Sequence, residues 1–182
     1  MQSDLFCLNG YFLIRFCKHH KINVPANIIY FAAKEEVLIF GEMYSKSGES
    51  LTLSARQRED RASLEALDYD QLITQKAPTG VKTTEVLSLN CSFCVQQHKY
   101  LSEKTAFVNR HIVLSTEPGT IERSLAVHTL CTERPLTTLE KLWSGKRPAE
   151  LLICDKGKQL ADKHKHYADT LGITATPTTF IN

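Results

Sequence analysis

The sequence predicts an α/β fold, and three observations carry that prediction. Past the stop Ala77-Pro78-Thr79-Gly80, strand-like and helix-like patterns alternate. Before it lies a β-rich segment followed by a charged helical stretch. A Cys-x-x-Cys pair, Cys91 and Cys94, falls where a strand pattern gives way to a helix pattern.

The elements follow in order along the chain. Leu5 to Cys17 is an apolar-leaning run without the positive opening or small-residue cleavage site of an export signal. A helix or strand packed on a neighbour is the favoured reading. Ile28-Ile29-Tyr30-Phe31 and Val37-Leu38-Ile39-Phe40, separated by Lys34-Glu35-Glu36, read as a hairpin within Asn27 to Tyr44. Ser45 to Ser50, with Gly48, is a turn. Ser54 to Lys76 reads as a linking helix, although Leu64, Leu67, Leu72 and Ile73 are only roughly periodic. Beyond the stop, Val81 to Leu89 is a strand, Cys91 to about Ala106 a helix, and His111 to Ser115 a strand. Helices follow near Thr120 to Cys131, Leu136 to Ser144 and Lys156 to Leu171, the last ended by Gly172. Thr176 to Ile181 is a turn running into a strand.

Composition narrows the function. The net charge is only +2 and no basic stripe is interleaved with aromatics, so nucleic acid is a poor partner. No apolar run reaches the roughly 18 residues that a membrane-spanning helix needs. Six cysteines, at 7, 17, 91, 94, 131 and 154, are many for a reduced compartment and lean towards an oxidising one. Their pairing is not fixed by the sequence.

Asn90 is a good N-cap residue, which puts Cys91 in the first helical turn. There the helix dipole and unpaired N–H groups favour the thiolate, the form that attacks disulfides. Cys94, on the stripe of Leu101, is expected to be more buried and to resolve the mixed disulfide. The competing reading is half a zinc site completed by Cys131, Cys154 or His98. Zinc modules usually present a second close ligand pair, and none is visible here. His164 and His166 read as solvated on a charged helix, Trp143 as packing, and Cys7 and Cys17 as buried thiols.

The chain resembles the bacterial periplasmic protein disulfide isomerases of the DsbC/DsbG type, which have a thioredoxin-fold catalytic domain. Cys91-Ser92-Phe93-Cys94 is similar to their active-site motif, and Thr176-Pro177 to the cis-proline loop that holds substrate backbone. Cys131 and Cys154 match the position and approximate spacing of their structural disulfide. Phe40 to Tyr44 with Ser47-Gly48 resembles the end of their dimerisation domain. The likeness runs from about Ile28 to Asn182. It implies a partial β-rich dimerisation module over 1–53, a linker helix over 54–76, and over 77–182 a thioredoxin-like domain with a helical insertion. Relatives continue through another strand and a closing helix, so it also implies a catalytic domain that stops short at its C-terminus.

The implied activity is thiol–disulfide exchange, as a periplasmic disulfide isomerase acting on misfolded secreted proteins. No cofactor is implied, because the dithiol is itself the redox centre. A membrane thiol reductase would donate electrons, and the chain would form a homodimer if the N-terminal module is intact. The rival expectation is a truncated, non-catalytic relative that acts as a binding or structural module.

Overall fold

The structure is a computed structural model that describes residues 5–8, 11–14, 29–32, 37–104 and 106–181. The turn at Lys34-Glu35-Glu36, the residue Cys17 and the side chain of Cys7 lie outside what it describes. The chain forms two compact units, Met1–Ala62 and Ser63–Asn182.

In the first unit, β1 (Leu5–Leu8), β2 (Tyr11–Ile14), β3 (Ile29–Ala32) and β4 (Val37–Phe40) form an antiparallel sheet in sequential order. The pairing of β3 with β4, Ile29 opposite Phe40 and Ala32 opposite Val37, is the hairpin expected from the two apolar runs. A turn closed by the Tyr44–Ser50 bridge leads into helix α1 (Leu51–Glu65). The Ser50 hydroxyl accepts the Leu53 N–H at 3.0 Å, satisfying a donor that the helix start leaves unpaired.

The expected linker helix over 54–76 is corrected here. Helix α1 starts at Leu51 and stops at Glu65, a 3-10 turn covers Tyr69–Gln71, and Ile73–Gln75 is strand β5. Leu72 and Ile73 are both buried although adjacent in sequence. Leu72, in extended backbone just before β5, and Ile73 within it reach the two different core clusters, which one helix stripe does not allow.

The sheet of the second unit has the order β5-β7-β6-β8, built from β6 (Val81–Leu87), β7 (Val108–Leu114) and β8 (Thr178–Ile181). Strands β6 and β7 are parallel and joined by helix α2 (Ser92–Ser102), whereas β5 and β8 run antiparallel at the edges. The run Thr83 to Leu87 is buried throughout, as expected of a central strand covered on both faces. One face packs Ile73, Leu87, Ile112 and Leu114 against Cys94, Val127, Leu130 and Leu139. The other packs Val86 and Val113 against Leu64, Leu67, Ala168 and Leu171. Helices α3 (Ile121–Cys131), α4 (Pro135–Trp143) and α5 (Asp155–Thr170) lie between β7 and β8 in the chain and form the helical insertion.

His164 is the second correction. It is fully buried, not solvated. Its Nδ1 accepts the Leu114 N–H at 3.0 Å, so Nε2 carries the proton and donates to the Gln71 carbonyl at 2.9 Å. Both partners are backbone groups of other elements, which no local pattern on α5 discloses. His166 is exposed. Trp143 packs on the core, with its ring 4.8 Å from that of His98.

Candidate active site

The site begins where β6 ends. Ser88 donates its hydroxyl proton to the Asn90 side-chain oxygen at 2.7 Å, and Asn90 does not cap the helix. The capping residue is Cys91 itself, in an extended conformation, with its sulfur accepting the Cys94 N–H at 3.1 Å. This corrects the expectation that Cys91 lies within the first turn. The electrostatic consequence is kept, because the N-cap side chain is the group closest to the unpaired N–H groups. Helix α2 also ends at Ser102, short of Ala106, and there the Ser102 hydroxyl bonds the carbonyls of His98 and Lys99.

The two sulfurs differ sharply in surroundings. Cys91 is half-buried and Cys94 is 0% exposed, packed in the core against Leu87 and Leu114. Burial pushes the Cys91 thiol up. Hydrogen bonds from the Cys94 side chain, the Thr176 side chain and the backbone of Cys94 and Phe93 outweigh it and bring the pKa below the ordinary value. Cys94 is pushed up to about 11, first by burial and then by its hydrogen bond with Cys91. One sulfur is poised to ionise and its neighbour is held protonated.

Thr176 and Pro177, distant in sequence, lie against this pair. The Thr176–Pro177 bond is cis, and the Cys91 thiol donates to the Thr176 carbonyl at 3.4 Å. Strand β8 starts immediately after, at Thr178, and pairs with β6 through Val86. Cys131 and Cys154 form a disulfide across the insertion, joining the end of α3 to the N-cap of α5. Their sulfurs are therefore bonded to each other and cannot complete a zinc site. The third candidate ligand, His98, has Nδ1 against the Arg110 guanidinium at 3.2 Å, and no cluster of three or more metal-ligating residues occurs among the described residues.

Sequence reasoning missed a buried charge pair beneath α2. Glu85 of β6 and Arg110 of β7 are both 0% exposed. Arg110 donates from Nε to Glu85 Oε1 at 2.6 Å and from Nη2 to Oε2 at 2.8 Å, a bidentate pair. A signal was present for Glu85, a carboxylate inside the strand pattern Val81 to Leu89, whereas Arg110 lies just ahead of the strand read at His111 to Ser115.

Comparisons with known proteins support this geometry at the level of the fold. DsbG from Helicobacter pylori superposes with a TM-score of 0.57, at 11% identity, covering 98% of this chain and 92% of that one. The fold is thioredoxin-like. A periplasmic thioredoxin-like protein from Salmonella enterica serovar Typhimurium matches at TM-score 0.52 and 21% identity, covering 67% of this chain and 83% of that one. The thiol–disulfide exchange protein α-DsbA2 from Wolbachia pipientis matches at TM-score 0.54 and 13% identity, over 70% of this chain and 87% of that one. No protein-family model and no curated protein matches the sequence. The thioredoxin-like fold is the one implied by the resemblance of the Cys91–Cys94 segment and the Thr176-Pro177 loop.

Proposed function

We propose that this chain catalyses thiol–disulfide exchange, with Cys91 as the attacking sulfur and Cys94 as the resolving one. The observation that carries this reading is the placement of Cys91 at the N-cap of α2, beside the cis Thr176–Pro177 bond, with a buried thiol 3 residues on. In the first step the Cys91 thiolate attacks one sulfur of a substrate disulfide. The substrate S–S bond breaks, its other sulfur leaves as a thiolate, and a mixed disulfide remains. In the second step Cys94 loses its proton and attacks Cys91. The Cys91–Cys94 disulfide forms, the second substrate sulfur leaves, and two electrons have passed to the substrate. If instead a substrate thiol attacks the mixed disulfide, Cys91 is regenerated and the net result is isomerisation.

In this reading Thr176 and Pro177 bind substrate backbone. An extended peptide laid beside Thr176 pairs with its backbone as an added strand. Phe93, between the two cysteines and 67% exposed, supplies apolar surface for unfolded chains. Misfolded disulfide-containing proteins of the periplasm are the proposed substrates, a membrane thiol reductase the electron donor, and a homodimer the working form. The named neighbours support the periplasmic assignment, since one of them is a periplasmic protein and another a thiol–disulfide exchange protein.

The test is refolding of a scrambled-disulfide substrate. The wild-type chain is expected to restore native pairings, Cys91→Ser to be inactive, and Cys94→Ser to accumulate covalent mixed disulfides. A wild-type chain that neither reduces nor rearranges disulfides sinks the proposal in favour of a non-catalytic binding module.

A further inference from the structure

The strand that carries the Thr176-Pro177 turn is weakly held by its own backbone. β8 is four residues long and, among the described residues, lies at the edge of the sheet and pairs with β6 alone. Pro177 has no N–H to contribute to a ladder. Yet Thr176 is the group that meets the Cys91 sulfur, so the site needs a second tie between α2 and β8.

Gln97 of α2 supplies one. Its amide nitrogen donates to Thr179 Oγ1 of β8 at 2.9 Å and to Glu85 Oε2 of β6 at 3.2 Å. Glu85 and Thr179 are register partners across the two strands, so the amide spans the gap between their side chains. The anchor beneath is firm. Glu85 is gripped by Arg110 through two hydrogen bonds, and Arg110 is held in turn by Gln75 Oε1 at 3.0 Å and by His98 Nδ1. A hydrogen-bonded row thus crosses all four strands, Gln75 on β5, Arg110 on β7, Glu85 on β6 and Thr179 on β8, and Gln97 binds α2 to its last two members.

We propose that Gln97 is a positioning residue that straps β8 to α2 and thereby fixes the approach of Thr176 to the Cys91 sulfur. It touches neither sulfur and acts through Thr179. The inference rests on Cys91 being the attacking sulfur, but its test reads the thiol directly. The Cys91 sulfur is acted on by the N–H groups of Phe93 and Cys94, by the Cys94 thiol and by Thr176. Loosening the strap withdraws Thr176, whose carbonyl accepts the thiol proton and whose side chain also bonds the sulfur, and leaves the others in place.

The experiment measures the alkylation rate of Cys91 against pH in Gln97→Met, which keeps the volume but loses the donors, and in Thr179→Val. Each is expected to move the midpoint by roughly half a pH unit, about a threefold change in thiolate below the midpoint. The double variant should shift no further than either single one, as for two partners in one contact. Thr179→Ser, which keeps the hydroxyl, should stay at the wild-type midpoint. Unchanged midpoints in both single variants, or shifts that add, overturn the proposal. If Gln97→Met fails to fold, Thr179→Val decides alone, because Thr179 lies on an exposed position of the edge strand. Wild-type protein without disulfide turnover but with shifted variants defeats the proposed activity and leaves the strap standing. Turnover with unmoved midpoints does the reverse.

Discussion

At the scale of single residues, the site works by giving two identical side chains different environments three positions apart. Cys91 caps α2 and is half-buried, whereas Cys94 is wholly enclosed. Treating the reduced protein with a limiting alkylating agent at neutral pH should therefore label Cys91 and spare Cys94. The Cys91 midpoint should lie below that of an ordinary thiol, and Cys94 should react only on unfolding or far into the alkaline range. Peptide mapping that finds Cys94 labelled first contradicts the assignment. The Glu85–Arg110 pair makes a second prediction. Arg110→Met strands a buried carboxylate and should cost about 3–5 kcal/mol in denaturant unfolding, whereas Arg110→Met with Glu85→Leu should recover most of that loss. A single variant as stable as the wild type would mean that the pair is not desolvated.

At the scale of elements, α5 is built against the disulfide. Cys154 caps the helix, its sulfur accepting the Gly157 N–H at 3.2 Å, and Cys131 lies over Gly157. A Cβ at Gly157 would sit 2.3 Å from the Cys131 sulfur and 2.8 Å from the Val127 carbonyl oxygen. Helix propensity alone favours alanine there by about 1 kcal/mol. The clash opposes it, at about 1–3 kcal/mol or more for an overpacked interior. Gly157→Ala should therefore lower the unfolding midpoint of the oxidised protein, and the loss should shrink in a Cys131→Ser, Cys154→Ser background. A stabilised Gly157→Ala would show that the helix can move off the disulfide without cost.

At the scale of the whole molecule, His164 and the disulfide join parts of the second unit that are far apart in sequence. His164 links α5 to the end of β7 and to the 3-10 turn before β5. Burial drives its pKa down from 6.5 to about 4. Between those values the unfolded chain takes up a proton at His164 and the folded chain does not. Stability therefore falls as pH drops from about 6.5 towards 4, by roughly 3 kcal/mol in total, and is unaffected by this residue above that window. His98 and His111 are also lowered, first by burial, and add in the same direction. Denaturant midpoints measured from pH 7 to 4 should decline, less steeply in His164→Gln. An unchanged slope in that variant would remove His164 from the cause. The Cys131–Cys154 bridge spans a sequence separation of 23, and chain-entropy reasoning gives it about 3 kcal/mol. Replacing both cysteines by serine should reduce stability by that order while leaving the Cys91 titration in place.

The sequence by itself determined the α/β class, the order of elements after Gly80 and the Cys-x-x-Cys at a helix start. These are local matters: alternation, helical periodicity, breakers and the spacing of two thiols are all written within a few residues. The hairpin of β3 and β4 was legible for the same reason, as two apolar runs around a charged break. Likeness to a known family carried the pairing of Cys131 with Cys154 and the cis state of Pro177, which no local pattern contains. Tertiary structure alone decided the rest. It ended α1 at Glu65, with Ile73 paired across to Ile112, and it made Cys91 the cap while Asn90 bonds Ser88. It buried His164 against two backbone groups and set Glu85 against Arg110, 25 residues away. Each of these turns on which polar group meets which partner once water is excluded. An unpaired polar group inside the protein costs more than local propensity can offset, and that partner is chosen by the fold, not by the neighbouring residues.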